Sequence, residues 1–395
     1  MISVQEATLL ILSRLCKPKT EAIDLSRACG RILGESVFAD RDFPPYDRVS
    51  MDGIAINIKA FQKGQREFRL AGTQAAGMPQ FNLVKEDTCI EVMTGAMLPL
   101  GTDSVVRYED IEIKNNLAKI LITEISAGQN IHPQNQDAKQ NQLLLSPGLK
   151  ISPAEVALLA SVGKSTVQVI SFPATAIIST GDELVDIDQT PLPHQIRRSN
   201  DTVLQSALLE LGCQAHRFHL ADSRDLLETA LINILQNHEL IILSGGVSKG
   251  KFDLVPEVLE SLGVKKLFHQ VSQKPGKPFW FGISDHHTFF ALPGNPVSTY
   301  MCYYRYIKPW LLKSMGSDHT TSHAILASAI TFKPQLTYFL QVSVKNESGK
   351  LMAYPDEGGG SGDFANLKDV DGFLELPSGI SEFSAGDLFP YYPFR

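Results

Sequence analysis

The five cysteines of this 395-residue chain, Cys16, Cys29, Cys89, Cys213 and Cys302, form neither a CxxC pair nor zinc-finger spacing. Neither a disulfide framework nor a structural zinc site is expected, and a reducing, cytoplasmic setting fits. Lysine and arginine form no run and the formal net charge is -7, which removes the electrostatic footprint of nucleic-acid binding and leaves any anion binding to local loops. No apolar run approaches the length of about 18 residues that a membrane span needs. The opening stretch MISVQEATLLILSRL is broken by Gln5, Glu6 and Arg14, so a signal peptide is not expected either. The histidines include no HExxH. The one HxxxH, His319 to His323, sits in a Ser/Thr-rich stretch that reads as a loop, and zinc chemistry is disfavoured. Internal repeats and low-complexity tracts are absent as well.

At 395 residues the chain exceeds one ordinary core, and roughly two to four domains are expected. Ser3-Val4-Gln5-Glu6 has the form of a capping box and predicts an amphipathic helix to about Leu15, ended by Lys17-Pro18. From about residue 21 to 122 the pattern turns to short β-like runs. They are Phe68-Arg69-Leu70, Cys89-Ile90-Glu91-Val92, Ser104-Val105-Val106-Arg107 and Ala118-Lys119-Ile120-Leu121-Ile122, parted by Gly, Pro and Asp turns. Ser152-Pro153-Ala154-Glu155 caps a second helix that reaches Ser161 and stops at Gly163. From about Pro173 strands and helices alternate. Ala174 to Ser179 is strand-like, and Val203, Leu204, Ala207, Leu208 and Leu211 line a helix stopped by Gly212. A further helix runs from near Ser223 to Leu235, ahead of the apolar run Leu240 to Leu243. A parallel sheet with helical crossovers is the economical reading. After a helix ending near Met315-Gly316, β runs return at Tyr338 to Val344 and Gly372 to Leu376, around a Gly-rich turn at 358 to 362. They predict a small β-barrel-like domain.

The chemistry-bearing signal lies in three loops of the alternating part: SGGVSKGKFD at 244 to 253, KPGKP at 274 to 278 and LPGNPVS at 292 to 298. The first and third follow apolar runs and precede helix-like segments, which is where an open α/β sheet binds its ligand. Glycines let main-chain N–H groups close on phosphate oxygens, a helix N-terminus adds its dipole, and Lys274 and Lys277 supply charge. For SGGVS, with Ser244, Gly245, Gly246 and Ser248, anion binding is the better reading than a turn whose glycines only satisfy backbone angles. KPGKP equally fits an exposed turn, although Pro275 and Pro278 stiffen it. LPGNPVS, with Pro293, Gly294, Asn295 and Pro296, is weak evidence without its company. Just after the first strand comes Thr180-Gly181-Asp182-Glu183. Asp182, Glu183 and Asp253 are the carboxylates that would suit Mg²⁺, which takes oxygen ligands together with phosphate and water; a turn cap beside a solvated acid explains the same string equally well. In the β-rich part, Pro44 to Gly53 delivers Ser50 and Asp52, and Thr94-Gly95-Ala96-Met97-Leu98-Pro99 offers a hydroxyl on a Gly-Pro turn. Taken alone both are ordinary loops. Gly246-Val247-Ser248-Lys249-Gly250 matches GxSxG, but Ser248 has no identifiable Asp and His partners and an anion loop produces the same string.

Taken together, PPYDRVSMDGIAI, TGAMLPLGTDSVVRYED, STGDELV, SNDTVLQSALLELG, SGGVSKGKFD, KPGKPFWFG and LPGNPVS closely resemble the MoeA family of molybdopterin molybdenumtransferases, which includes the E domain of gephyrin. The likeness implies a multidomain α/β protein in four parts. They are a helical and extended linker domain (1–42 and 138–172), a β-rich domain inserted in it (43–137), a parallel α/β molybdopterin-binding domain (173–316) and a C-terminal β-barrel-like domain (317–395). It implies a cytoplasmic homodimer whose active site lies between the α/β domain of one subunit and the inserted domain of the other. The implied reaction inserts molybdate into adenylylated molybdopterin and releases AMP with Mg²⁺ present. Gly245, Gly246 and Ser248, with Lys274 and Lys277, would hold phosphate or molybdate oxyanions. Glu183 and Asp253 would take the metal, and Asp52 and Thr94 would come from the partner subunit. Ser50, Asp137, Thr180, Gly181, Asp182, Ser244 and the stretch Pro293, Gly294, Asn295 and Pro296 would complete the substrate site.

The chain departs from the family pattern at several places. Gly128-Gln129-Asn130 leads to His132 and to Asn135-Gln136-Asp137, where the family shows Arg and then GED, so only the Asp is kept. Ile54 replaces an aromatic, Arg107 an apolar residue, Lys249 follows SGGVS, and Leu336 and Gln341 stand where arginines are expected. Lost arginines remove bidentate anion contacts. The likeness also implies a transient contact with the molybdopterin adenylyltransferase. Two other readings stay open: adenylylation of molybdopterin, which uses a similar α/β domain although the long β insertion and tail favour insertion, and a non-catalytic scaffold of the same architecture.

Overall fold

The structure, a computed structural model, describes residues 1–221, 223–247, 254–317 and 320–395. The helix Val4–Leu12 opens on the expected capping box: the Glu6 N–H donates to Ser3 Oγ (3.1 Å) and the Ser3 N–H to the Glu6 carboxylate (2.8 Å). It ends earlier than the apolar stripe suggests. Ser13 caps it, its hydroxyl donating to the Leu10 carbonyl, and the Arg14 N–H takes the Ile11 carbonyl, which closes the last turn before the proline is reached. Its inner face, Val4, Ala7 and Ile11, packs in the same apolar cluster as Ile177, Leu204 and Trp310 of the α/β layer.

Segments on either side of the β-rich part pair with each other. Lys19–Asp24 runs antiparallel to Thr166–Ser171, and Val37–Phe38 to Leu143–Leu145. The capped helix Pro153–Ser161 covers them, with Leu33, Leu159 and Val169 in the core. Between these segments lies a six-stranded sheet in the order Ser104–Arg107, Gly53–Ile56, Thr88–Val92, Glu67–Gln74, Leu117–Ile120, Ile111–Lys114. Leu121 falls outside the last run expected there. Its N–H turns to the Asp110 carbonyl (2.9 Å) and its side chain is exposed.

The α/β domain has the sheet order Ala215–Leu220, Thr175–Thr180, Leu240–Ser244, Thr288–Leu292, Trp280–Ile283, Lys265–His269. The first four strands are parallel, and Ile177, Ile242 and Phe290 are buried on faces that helices cover. The sheet is not parallel throughout, because Trp280–Ile283 runs antiparallel to both of its neighbours. The chain from 284 to 287 is a tight turn, closed by the Ser284 N–H on the His287 carbonyl, whereas a parallel crossover needs a dozen or more residues. The helix Pro296–Cys302 continues through a π-helical turn, Tyr303–Ile307, into Lys308–Ser314.

The C-terminal strands Thr337–Glu347, Lys350–Pro355, Ser322–Leu326, Leu388–Pro393 and Gly372–Leu376 close into a five-stranded barrel, the last pairing back to the first. Gln273–Lys274 of the α/β domain adds a short parallel strand beside Thr337 and Tyr338. Among the described residues no helix is long and apolar enough to cross a membrane.

Candidate active site

Three parallel strands, Thr175–Thr180, Leu240–Ser244 and Thr288–Leu292, end at one edge of the sheet. The chain turns sharply after the middle one, because Gly245 and Gly246 have φ of +98° and +67°. A Cβ on Gly245 would lie 2.8 Å from the Thr180 carbonyl oxygen, and one on Gly246 would lie 2.8 Å from Val255 Cγ2 and 2.9 Å from Thr180 Oγ1. Only glycine meets both the backbone angle and the close approach. The loops bound a cleft of about 420 Å³. The buried hydroxyls of Ser179 and Thr180 have no hydrogen-bond partner among the described residues, and such groups call for a ligand, water or a further loop group.

Of the residues expected to meet here, Thr180, Gly181 and Glu183 line the cleft from the first strand end, and Ser244, Gly245 and Gly246 from the second. Pro293, Gly294, Asn295 and Pro296 close it from the third. Asp182 is exposed and does not line it. Lys274 and Lys277 are exposed and stay off the wall, which Pro278 of the same loop reaches. Ser248 and Asp253 lie outside the described residues. The barrel domain reaches the cleft loops at Ser361, where Asn295 Nδ2 donates to Ser361 Oγ (2.8 Å) and the Val297 N–H to the Ser361 carbonyl (3.2 Å).

Sequence reasoning gave no role to Arg197, Arg198 and Asn200, which also line the cleft. Asn200 Nδ2 donates to Ser244 Oγ (2.9 Å) and to the Gly294 carbonyl (2.8 Å), tying two of the loops together. Arg198 pairs with Asp186 and stands 3.6 Å from the fully buried Asp201. The available signal was Ser199-Asn200-Asp201, a helix opening like those after the other loops.

On the inserted domain, Asp52 accepts from the Thr94 N–H (2.6 Å) and hydroxyl (2.7 Å). These bonds, the backbone one first, hold its carboxyl below the usual carboxylate range. Both residues are exposed and neither lines the cleft of its own chain. Ser50 lies nearby, its N–H on the Asn130 carbonyl (3.0 Å), and Asp137 takes the ring of His132 at 2.9 Å.

For a metal, Glu183 is the carboxylate on the cleft wall, and no group of three His, Cys, Asp or Glu stands together among the described residues. One carboxylate completed by phosphate and water suits Mg²⁺. The fold and the cleft define a protein whose ligand site lies at the carboxyl edge of an α/β sheet.

Comparison with known proteins gives that class its identity. Residues 2–163 match the MoeA N-terminal region (domains I and II), 176–313 a probable molybdopterin binding domain, and 323–394 the MoeA C-terminal region (domain IV). A Synechocystis protein named molybdopterin molybdenumtransferase is 41% identical over 99% of this chain and 100% of its own length. One of the same name from Haemophilus influenzae is 30% identical, covering 100% and 99%. The solved MoeA protein of Pyrococcus horikoshii superposes with a TM-score of 0.86 at 27% identity, over 100% of this chain and 99% of that one. The chain belongs to the molybdopterin molybdenumtransferase (MoeA) family, transferases of molybdenum cofactor biosynthesis.

Proposed function

We propose that the enzyme inserts molybdate into adenylylated molybdopterin and releases AMP. The observation that carries this reading is the convergence of three strand-end loops on one cleft, above a Thr180 hydroxyl that has no partner among the described residues. The N–H groups of the SGGVS loop hold a phosphate, Asn200 fixes the loops against each other, and Lys274 and Lys277 bring charge to the oxyanion. Molybdate takes the two dithiolene sulfurs of the pterin as ligands while one of its oxo groups leaves as water with the two thiol protons, and water attacks the phosphoanhydride phosphorus, whose P–O bond breaks to release AMP and leave the pterin phosphate, so no protein nucleophile is required. Glu183 and Asp253 would anchor Mg²⁺, which when bound neutralises charge on the phosphate oxygens.

The enzyme acts as a cytoplasmic homodimer. Asp52 and Thr94 are held to each other, lie exposed and stay away from the cleft of their own chain, which supports their serving the partner's cleft. A transient contact with the molybdopterin adenylyltransferase would hand over the substrate. Molybdate-dependent AMP release by the purified protein is expected, with large losses in Asp52→Ala and Glu183→Ala. Mixing those two inactive variants restores about a quarter of the activity, because half the dimers are mixed and each of these keeps one intact site. ATP consumption that ignores molybdate would mark an adenylyltransferase instead, and full cofactor production by both variants in cells a scaffold.

A further inference from the structure

We propose that His269 is a positioning residue of the cleft, whose ring holds the Val247 carbonyl away from the phosphate that the SGGVS loop binds. This rests on the reading of that loop as a phosphate cradle. His269 Nε2 lies 2.9 Å from the Val247 carbonyl oxygen, and since a carbonyl only accepts, Nε2 carries the hydrogen of the bond. Val247 lines the cleft and His269 does not, so the bond draws the oxygen toward a ring behind the wall. A carbonyl turned the other way would set its negative end against an oxyanion and cancel part of what the N–H groups supply. Each of the three cleft loops has a carbonyl taken by a side chain: Gly181 by His219 Nε2 (3.0 Å), Val247 by His269 and Gly294 by Asn200 (2.8 Å).

The sheet fixes where that ring stands. The strand Lys265–His269 is antiparallel to Trp280–Ile283, which is itself antiparallel to Thr288–Leu292, so His269 ends its strand at the same sheet edge as the cleft loops. It lies opposite Trp280 in the register and shares its face, and the wholly buried Trp280 packs in one apolar cluster with Val247. Phe268 turns to the other face, into the cluster of Phe279 and Phe281. Val247 is 2% exposed, and among the described residues its carbonyl has no second donor. The Gly181 carbonyl has one, because it also accepts from the Leu184 N–H at 3.2 Å. A buried acceptor that loses its donor must find another. For Val247 the nearest source is the solvent of the cleft, and turning toward it brings the oxygen to the phosphate side.

The test measures molybdate-dependent AMP release by the full chain, with kcat and with KM for both the adenylylated pterin and molybdate. His269→Leu removes the donor and is expected to raise KM for the adenylylated pterin about fivefold, the worth of about one net hydrogen bond. Both kcat and the molybdate KM should stay within about twofold of the wild type. His269→Gln keeps an amide N–H at the reach of Nε2 and restores KM to within about twofold. His219→Leu raises it less than His269→Leu does, since Leu184 still serves Gly181. Should the leucine variant not fold, His269→Asn, whose amide is one methylene too short, takes its place. An unchanged pterin KM in the donor-less variant, or a rise that His269→Gln shares, means that the ring only packs and overturns the proposal. A rise confined to the molybdate KM overturns it too, because the carbonyl would then face the metal oxyanion and not the phosphate. A wild type without molybdate-dependent AMP release would instead sink the reading of the reaction, and the role of His269 would fall with it.

Discussion

Gly245→Ala tests the cradle most directly. Its φ of +98° is a conformation that L-residues adopt at a cost of about 1–2 kcal/mol. The added methyl would also stand 2.8 Å from the Thr180 carbonyl oxygen and 3.2 Å from Thr180 Oγ1. Carbon–oxygen contacts ordinarily begin at about 3.3 Å, so the loop must retreat by roughly half an ångström. Strain and retreat together cost about 1–3 kcal/mol, a fall of roughly 2–4 °C in melting temperature per kcal/mol for a domain of this size. The retreat moves the N–H groups that, on the proposed reading, face the phosphate. Since a 1 Å misplacement can cost about a hundredfold, a drop of roughly tenfold in kcat/KM is expected. Gly263→Ala is the control, at φ +80° with nothing within 4 Å of the new methyl and far along the chain from the cleft loops. It should lose comparable stability and keep full activity. Steady-state AMP release and thermal melts on both variants decide the matter. If Gly245→Ala melts earlier yet turns over like the wild type, the glycine serves only the turn and the cradle argument is wrong.

Removing the Asn200 amide unties Ser244 from Gly294, so Asn200→Ala should raise KM for the pterin and lower stability by about 1–2 kcal/mol, read by urea unfolding; an unchanged KM would show that the loops hold without it. Asp52 has a folded pKa below its ordinary 3.8, so its contribution to stability is present above the unfolded value and is lost as pH falls through the folded one. Thr94→Val removes the hydroxyl but keeps the stronger backbone bond. The Asp52 pKa should therefore rise part of the way to its ordinary value in an NMR titration, and a pKa that stays put would refute the assignment. Glu375→Gln strips the carboxylate from Arg305, which it meets at 2.7 Å with both side chains about nine-tenths buried. Leaving that guanidinium unpaired should cost about 3–5 kcal/mol of unfolding free energy, measured by urea titration, and a loss below about 1 kcal/mol would mean that water reaches the pair.

Elements whose signal is local could be read before the structure was seen. The capping boxes at Ser3 and Ser152 and the strands Ser104–Arg107 and Gly372–Leu376 lie where their residues pointed, because a cap or an apolar alternation acts within a few residues of itself. The loops after Thr180 and Ser244 were legible for the same reason, since Gly181, Gly245 and Gly246 take positive φ, while the loop after Leu292 was marked by Pro293 and Pro296. The antiparallel edge Trp280–Ile283 was not, because an apolar run carries no direction. Arg197 and Arg198 were also missed, a pair of charges in sequence being indistinguishable from a solvated face.

The order of residues alone therefore determined which segments bend, which alternate and which loops are able to wrap an anion. Which of those loops share a wall was settled only by the tertiary structure. Asn200 meets Gly294 across ninety-four positions, and Lys274 finds Phe332 and Tyr338 in another domain. Such contacts arise from sheet order and domain packing, which no local run of side chains encodes.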